Sequence, residues 1–389
     1  VTLWLGRETP LDVGDAELHD GRILVRAGDQ TVSFAGATFD DRPFTLPAAS
    51  PILVQGPSAA IDGVPERVTA ALAPGWAAVI GDPTEALGLH LDPWERDDDV
   101  LDRRERVLAE VQEHYYARPP QIERGWREYL VDVDGRVYLD MVNNVASVGH
   151  AHPRIAEAAS RQLRLLNTNS RFHYRAITDY AERIAATLPD ELDTVFFVNS
   201  GSEAADLAIR LAMASTGRPD IVAMREAYHG WTFASDAVST SIADNPNAVE
   251  TRPDWVHTVD AANSYRGAHR GAESSAYALE AVAEIDRLAA EGRPPAGIIC
   301  ETYFGNAGGV ALPDGYLSAV YGAIRSHGGI TIADEVQVGF GRLGEWFWGF
   351  QQQGVVPDVV AVAKSIGGGQ PIGAVITRRE IADRYRSQG

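Results

Sequence analysis

The sequence predicts an α/β protein: a mainly parallel sheet with helices on both faces, preceded by a small β-rich domain. Beyond Pro153, helical stretches alternate with short, nearly continuous apolar runs, the texture of strands buried on both faces. Before about residue 92, brief β-runs are punctuated by Gly, Asp and Pro, and no long amphipathic helix appears. With 389 residues, 45% hydrophobic and 23% charged, the chain has the composition of a globular protein and the length of two or three domains.

Taken in order, Val1–Leu5, Ile23–Val25, Thr31–Phe34, Ile52–Val54 and Ala77–Ile80 are the strands of the β-rich segment, 1–92, whose role is open. The acidic stretch Trp94 to Asp102 leads into a helical pattern through about Tyr116. Its aspartates lack the glycine and terminal glutamate of a calcium loop, so a solvated helix N-terminus fits them better. Tyr129–Val133, the turn Asp134-Gly135 and Arg136–Leu139 form a hairpin. Helices are expected over Arg154–Leu166, Thr178–Thr187 and Glu203–Ala214. Strands are expected at Val195–Val198, Ile221–Met224, Gly297–Cys300, Gly329–Ala333, Val359–Val362 and Ala374–Thr377.

Charge and composition exclude several classes of function. With Lys plus Arg at 34 against Asp plus Glu at 54, the formal charge is −20. Such a chain repels phosphate backbones and anionic lipid, so neither nucleic acid nor membrane is expected as a partner. No apolar run is long enough to span a bilayer, and Val1-Thr2-Leu3-Trp4 lacks the basic start of a secretory signal. Cys300 is the sole cysteine, which fits a reducing, cytoplasmic setting without an intrachain disulfide. Neither His150-x-His152 nor His90 has companions of ligand type, so no metal site is expected.

Lys364 is the sole lysine among 34 basic residues. Arginine replaces lysine as a surface cation, but its guanidinium stays protonated and cannot form an imine. Chemistry of that kind is therefore one reason for a lysine to persist at this position, and chance is the other. In doubly wound sheets, ligands gather beyond the carboxyl ends of the strands. There, Asn199-Ser200-Gly201-Ser202 precedes a helix and is either a phosphate cradle or an ordinary N-cap. Tyr228-His229-Gly230 offers a ring that stacks on a planar ligand or simply packs. Asp334 ends a buried strand, where an acid is costly unless paired. Val336, Gln337 and the glycines after them follow it, and Lys364 emerges from the next strand. A phosphate cradle, an aromatic platform, a buried acid and a desolvated amine are together what pyridoxal phosphate requires.

The segments NSGSEAADLAIRLA, AYHG, ITIADEVQVGFGR and VAVAKSIGGGQPIGA resemble class III aminotransferases, the fold type I branch of pyridoxal-phosphate enzymes. The likeness spans roughly 110–389. It implies that Gly201 and Ser202 bind the cofactor phosphate, that Tyr228 and Val336 sandwich the ring, and that Asp334 pairs with the pyridine nitrogen. It also implies that Gln337 approaches the phenolic oxygen and that Lys364 carries the internal aldimine and shuttles the proton. Glu301 matches an acidic position of the active-site wall, or else is a strand-end carboxylate paired with an arginine. Arg171 is either a clamp for a substrate phosphate or carboxylate or a member of a surface ion pair. Trp346, Phe347, Trp348 and Phe350 are expected to pack near the sheet.

The narrower likeness of MVNNVASVGHAHP, LNTNSRF, DYAERIAATLP and FGNAGG is to the subgroup of alanine–glyoxylate aminotransferase 2-like proteins and ethanolamine-phosphate phospho-lyases. It implies a homodimeric enzyme taking a small amine or amino acid and a 2-oxo acid or aldehyde acceptor, with phosphate elimination as the alternative reaction. The implied organisation is a linker helix and part of the small domain over 93–152, and the cofactor-binding domain over 153–389. The family pattern continues well beyond Lys364, whereas this sequence stops at Gly389. The resemblance therefore implies a fragment without its C-terminal domain, and a non-catalytic dimerisation scaffold is the remaining alternative.

Overall fold

The computed structural model describes residues 99–388 except 113, 115 and 134–136; before residue 99 it describes only the backbone of seven short strands. These are β1 (Leu3–Leu5), β2 (Thr9–Pro10), β3 (Ala16–His19), β4 (Arg22–Ala27), β5 (Gln30–Ala35), β6 (Ile52–Gln55) and β7 (Trp76–Val79). They pair antiparallel in the orders β2-β1-β6-β7 and β3-β4-β5. The rest of the expected β-rich segment, including His90, and most of the acidic stretch that follows it lie outside the described residues.

The chain divides into two compact units, 1–143 with 148–167, and 144–147 with 168–389. The first contains α1 (Val100–Val107), a three-stranded antiparallel sheet of β8 (Ile122–Trp126), β9 (Tyr129–Asp132) and β10 (Val137–Leu139), and α2 (Pro153–Leu165). Helix α1 is shorter than its sequence pattern, which runs to Tyr116. It buries no side chain, and the backbone turns extended at Leu108. Without a packed face a short helix gains little by growing. Strand β8 is not evident from the sequence because Glu123 and Arg124 interrupt its apolar alternation. In this unit His150 Nε2 lies 2.7 Å from Asp140 Oδ2, and against the opposing effect of burial the backbone N–H of Asn143, this histidine and the N–H of Val142 hold the carboxyl below its ordinary range. No cluster among the described residues could hold a metal ion.

The second unit is built on a seven-stranded sheet, in the order β11-β17-β16-β15-β14-β12-β13. Its strands are β11 (Thr194–Val198), β12 (Ile221–Met224), β13 (Val256–Val259), β14 (Gly297–Glu301), β15 (Ile330–Asp334), β16 (Val359–Val362) and β17 (Gly373–Thr377). Pairings from β13 through β16 are parallel, as expected. Strand β17 inserts antiparallel between β16 and β11. The helices are α3 (Arg175–Ala185), α4 (Gly201–Thr216), α5 (Phe233–Val238), α6 (Ala276–Ala290), α7 (Tyr316–Ser326) and α8 (Arg379–Gln388). Strand β13, not among the expected strands, is only Val-His-Thr-Val and has no apolar run.

Alternation along the strands explains the two cores. Val222, Ile298 and Cys300 face the helices α6 and α7, against Ile285, Leu288, Val320 and Ile324. Their neighbours Ile221, Ala223 and Ile299 point the other way, onto Ala204, Ala208 and Ala212 of α4. The alanine face lets α4 sit close to the sheet, while at β14 the neighbouring strand requires Gly297: a Cβ there would stand 2.4 Å from the Ile330 carbonyl. Trp348 and Phe350 join a third cluster with Ala333, Val360 and Ile376. Phe347 is 41% exposed but packs edge-on against Phe340 and Trp348, with ring centroids 5.6 and 5.1 Å apart, and Trp346 is 37% exposed; the core positions are taken by Trp348, whose Nε1 donates to the Thr187 carbonyl, and Phe350.

Glu335 secures this third cluster. It is fully buried, and its carboxylate accepts from Thr302 Oγ1 (2.7 Å), Gly349 N (2.8 Å) and Phe350 N (2.9 Å). Burial raises its pKa to about 7, with the three hydrogen bonds pulling the other way. A carboxyl whose folded pKa exceeds its unfolded value favours the fold fully below the unfolded pKa and loses that contribution as pH rises through about 7. Between pH 5 and pH 8, wild-type stability is expected to fall relative to Glu335→Gln, by up to about 1.4 kcal/mol per pH unit. Urea midpoints at the two pH values check this; a constant difference between the proteins would refute it.

Candidate active site

The sequence-predicted residues converge at the carboxyl ends of β11, β12, β14, β15 and β16. At the end of β11, Ser200 caps α4 with its hydroxyl accepting from Glu203 N (3.1 Å), while Glu203 Oε2 accepts from Asn199 N (2.6 Å). This reciprocal arrangement uses two donors. The N–H groups of Gly201 and Ser202 belong to the first turn, where no intrahelical acceptor exists. Together with the Ser202 hydroxyl they form a seat for an anion at a positive helix end. Space at Gly201 is tight, since a Cβ would lie 3.0 Å from Val336 Cγ1.

The segment after β12 lies against the same seat. Trp231 N donates to Ser202 Oγ (3.2 Å). Gly230 takes φ +129°, and a Cβ on it would stand 2.4 Å from Ser202 Oγ, so only glycine fits this turn. Tyr228 is 38% exposed, and its hydroxyl pKa is raised, chiefly by burial and further by Asp244 and Asp236. Its neighbour His229 is buried, with backbone N–H donating to Ser239 Oγ (2.8 Å).

Asp334, the last residue of β15 and buried, has its two oxygens engaged separately. Oδ2 lies 2.7 Å from His229 Nδ1, and Oδ1 accepts from Val336 N at 3.0 Å. A carboxylate only accepts, so the ring donates through Nδ1. His229 Nε2 is then a buried nitrogen without a hydrogen-bond partner. His229 was missed as a functional residue from the sequence. The signal was its place beside Tyr228 at a strand end, but nothing local shows that it reaches an acid two strands away.

Lys364 follows β16 with φ +48°, a left-handed backbone that is uncommon for a side-chain-bearing residue and marks strain at functional positions. Its Nζ donates to Gln337 Oε1. Burial lowers its pKa below the ordinary lysine value; Asp334 and Glu301 oppose this, and Arg342 adds to it. Tyr180 Oη donates to the Ile366 carbonyl and so ties α3 to the turn that carries the lysine.

The structure places the remaining two predicted residues as follows. No arginine pairs with Glu301 among the described residues. Glu301 is 3% exposed, and its oxygens accept from three backbone N–H groups: Tyr228 (3.2 Å), Gly305 (2.9 Å) and Asn306 (3.2 Å). Arg171 is exposed before α3, and its backbone N–H donates to Asn169 Oδ1 (2.9 Å).

A profile of the family described as Aminotransferase class-III matches residues 111–389. The chain belongs to that family. This class III chain is 40% identical over 293 residues to the alanine–glyoxylate aminotransferase 2-like protein of Drosophila melanogaster, covering 74% of this chain and 59% of that one. It is 37% identical over 307 residues to ethanolamine-phosphate phospho-lyase homolog 1 of Caenorhabditis elegans, covering 74% and 64%. Among solved structures, an Arthrobacter phospholyase in complex with phosphoethanolamine shares 32% identity with a TM-score of 0.68, over 75% of this chain and 68% of that one. An omega-transaminase from Thermomicrobium roseum shares 30% identity with a TM-score of 0.61, over 73% and 68%. The chain thus spans about three fifths of the length of the curated relatives it matches.

Proposed function

We propose that this chain is the cofactor-binding part of a pyridoxal-phosphate-dependent class III transaminase, moving an amino group from a small amine or amino acid to a 2-oxo acid or aldehyde. The observation that carries the reading is the set formed by the sole lysine, Lys364, bonded to Gln337 and placed near the buried Asp334 with its His229 partner. When bound, the cofactor supplies a ring that withdraws electrons from the substrate carbon. Lys364 attaches it and moves the substrate proton through Nζ, a task its lowered pKa favours. Asp334 holds the ring nitrogen in its protonated form. Gly201 and Ser202 bind the phosphate by backbone N–H and hydroxyl donors, while Tyr228 and Val336 flank the ring. Gln337 holds the phenolic oxygen.

The donors and acids fit that group. The anion seat follows β11, the acid ends β15 and the lysine follows β16, and the missing Cβ atoms of Gly201 and Gly230 allow the close packing around the seat. In this reading residues 153–389 are the cofactor domain, the active protein is a homodimer, and the buried Cys300 and acidic charge suit a cytoplasmic protein. Among the described residues no helix is long and apolar enough to cross a membrane. Arg171, exposed and cationic, is the proposed contact for an anionic group of the substrate.

The likeness to phospho-lyases from Caenorhabditis elegans and Arthrobacter favours a second reading, β-elimination of phosphate from a phosphoethanolamine-like substrate. Both readings use the same cofactor residues and differ in the fate of the substrate. The test reconstitutes the full-length protein with pyridoxal phosphate and supplies phosphoethanolamine without any oxo acid. Transamination predicts no inorganic phosphate over many turnovers, and amino transfer once a 2-oxo acid and a suitable amine are added. Sustained phosphate release without an acceptor would replace transamination by the lyase reading. Failure to take up the cofactor at all would favour a scaffold.

A further inference from the structure

We infer that Glu301 is a positioning residue that fastens two active-site loops to each other, and that it does not contact substrate. The inference rests on the cofactor-site reading above for its consequence and on the chain's own geometry for its substance.

Glu301 ends β14 and stands opposite Asp334 in the parallel register of β14 and β15. A buried carboxylate next to another acid is costly, and burial together with Asp334 raises its pKa. The side chain is nevertheless turned to backbone. Oε1 accepts from Tyr228 N, in the segment after β12, and Oε2 accepts from both Gly305 N and Asn306 N, in the loop after β14. The three donors come from two chain segments more than seventy residues apart in sequence, which no backbone–backbone bond between them replaces among those described. A carboxylate is the suitable side chain for this task, because it presents acceptor lone pairs in two directions and no donor.

Each fastened loop in turn holds a residue of the site. The first carries Tyr228 and, one residue on, the His229 that binds Asp334. The second brings Gly305 against Gln337: a Cβ on Gly305 would lie 2.5 Å from Gln337 Cγ, and Gln337 receives the hydrogen bond of Lys364. Glu301 therefore sets the aromatic platform and the lysine's partner at once. An amide in its place turns a donor toward at least one of the N–H groups and releases one loop from the other.

The test compares the wild type with Glu301→Gln by hydrogen exchange on the cofactor-free full-length protein, so that its outcome is independent of the functional reading. At least one of the peptides covering 225–231 and 303–309 is expected to lose protection, by at least about tenfold, with the strands β14 and β15 unchanged. Loss in neither loop overturns the inference. If Glu301→Gln loses protection throughout, Glu301→Asp is measured instead; it keeps the charge but is one methylene too short to bridge, and the same two outcomes apply. A second readout uses holoenzyme with two amine donors, one bearing a carboxylate and one without. Positioning predicts that kcat/KM falls by the same factor for both and that cofactor affinity weakens before any substrate is added. A change confined to KM for the carboxylate-bearing donor would make Glu301 a substrate contact and overturn the inference. Wild-type protein that takes up no pyridoxal phosphate would sink the functional reading and leave the exchange result to decide this one.

Discussion

Lys364→Ala is expected to abolish covalent uptake of pyridoxal phosphate and to lower turnover by at least about 10⁴-fold, the loss of an attached amine and of the proton shuttle together. No other side chain of the protein can take its place, since every other basic side chain apart from histidine is an arginine. Lys364→Arg should behave as the alanine variant does in spite of its retained charge. This separates chemistry from electrostatics: a lysine that acted only as a cation near Asp334 would be largely rescued by arginine. The measurement is visible absorbance of the desalted protein after reconstitution, followed by turnover with a small amine. Retention of bound-cofactor absorbance in the alanine variant would overturn the assignment. Stability should change little in either variant, because the amine is solvated in the unfolded chain and burial disfavours its charged form in the folded one.

Asp334→Asn is expected to cost about 10²–10³ in kcat while leaving the fold intact, the range found when one preorganised electrostatic partner is removed from a buried site. The amide keeps the shape and can still accept from His229 through its oxygen, so the hydrogen bond of 2.7 Å survives in form. What disappears is the negative charge that, in the proposed function, holds the cofactor ring nitrogen protonated. The expected signature is a fall in kcat with little change in the urea midpoint. It should be accompanied by a shift to lower pH in the spectroscopic titration of the bound cofactor. Equal loss of stability and activity would instead make Asp334 a structural acid paired with His229. Charge and position are separable here because β15 places the carboxyl through a fully buried strand whose backbone does not depend on it.

Much of this site is legible in the order of the residues, and for a local reason. Strands such as Ile221–Met224 and Val359–Val362 are continuous apolar runs bounded by turn residues, and their ends can be read directly. Because ligands collect at such ends in parallel sheets, Asp334, Lys364 and the Ser200–Ser202 turn stand out as residues that the strands deliver to one edge. The lone lysine is a fact of composition and needs no knowledge of the fold. Helix α4 announces itself through the Ser200–Glu203 cap and a face of alanines spaced for close packing. The short polar strand β13 and the charged strand β8 are not legible, because a periodic pattern needs more residues than they contain.

By itself the sequence determined the family, the elements that carry the site and the residues at their ends, since periodicity, capping and motif spacing are properties of neighbouring residues along the chain. Only the tertiary structure decided which ends meet. It placed β14 between β12 and β15, so that Glu301 lies beside Asp334 and within reach of Tyr228. It turned His229 onto Asp334, over a separation of 105 residues. It also inserted β17 antiparallel between β11 and β16, giving β11 its place in the sheet. Hydrogen bonds of this kind depend on strand order and loop path, which are set by the burial of the whole core.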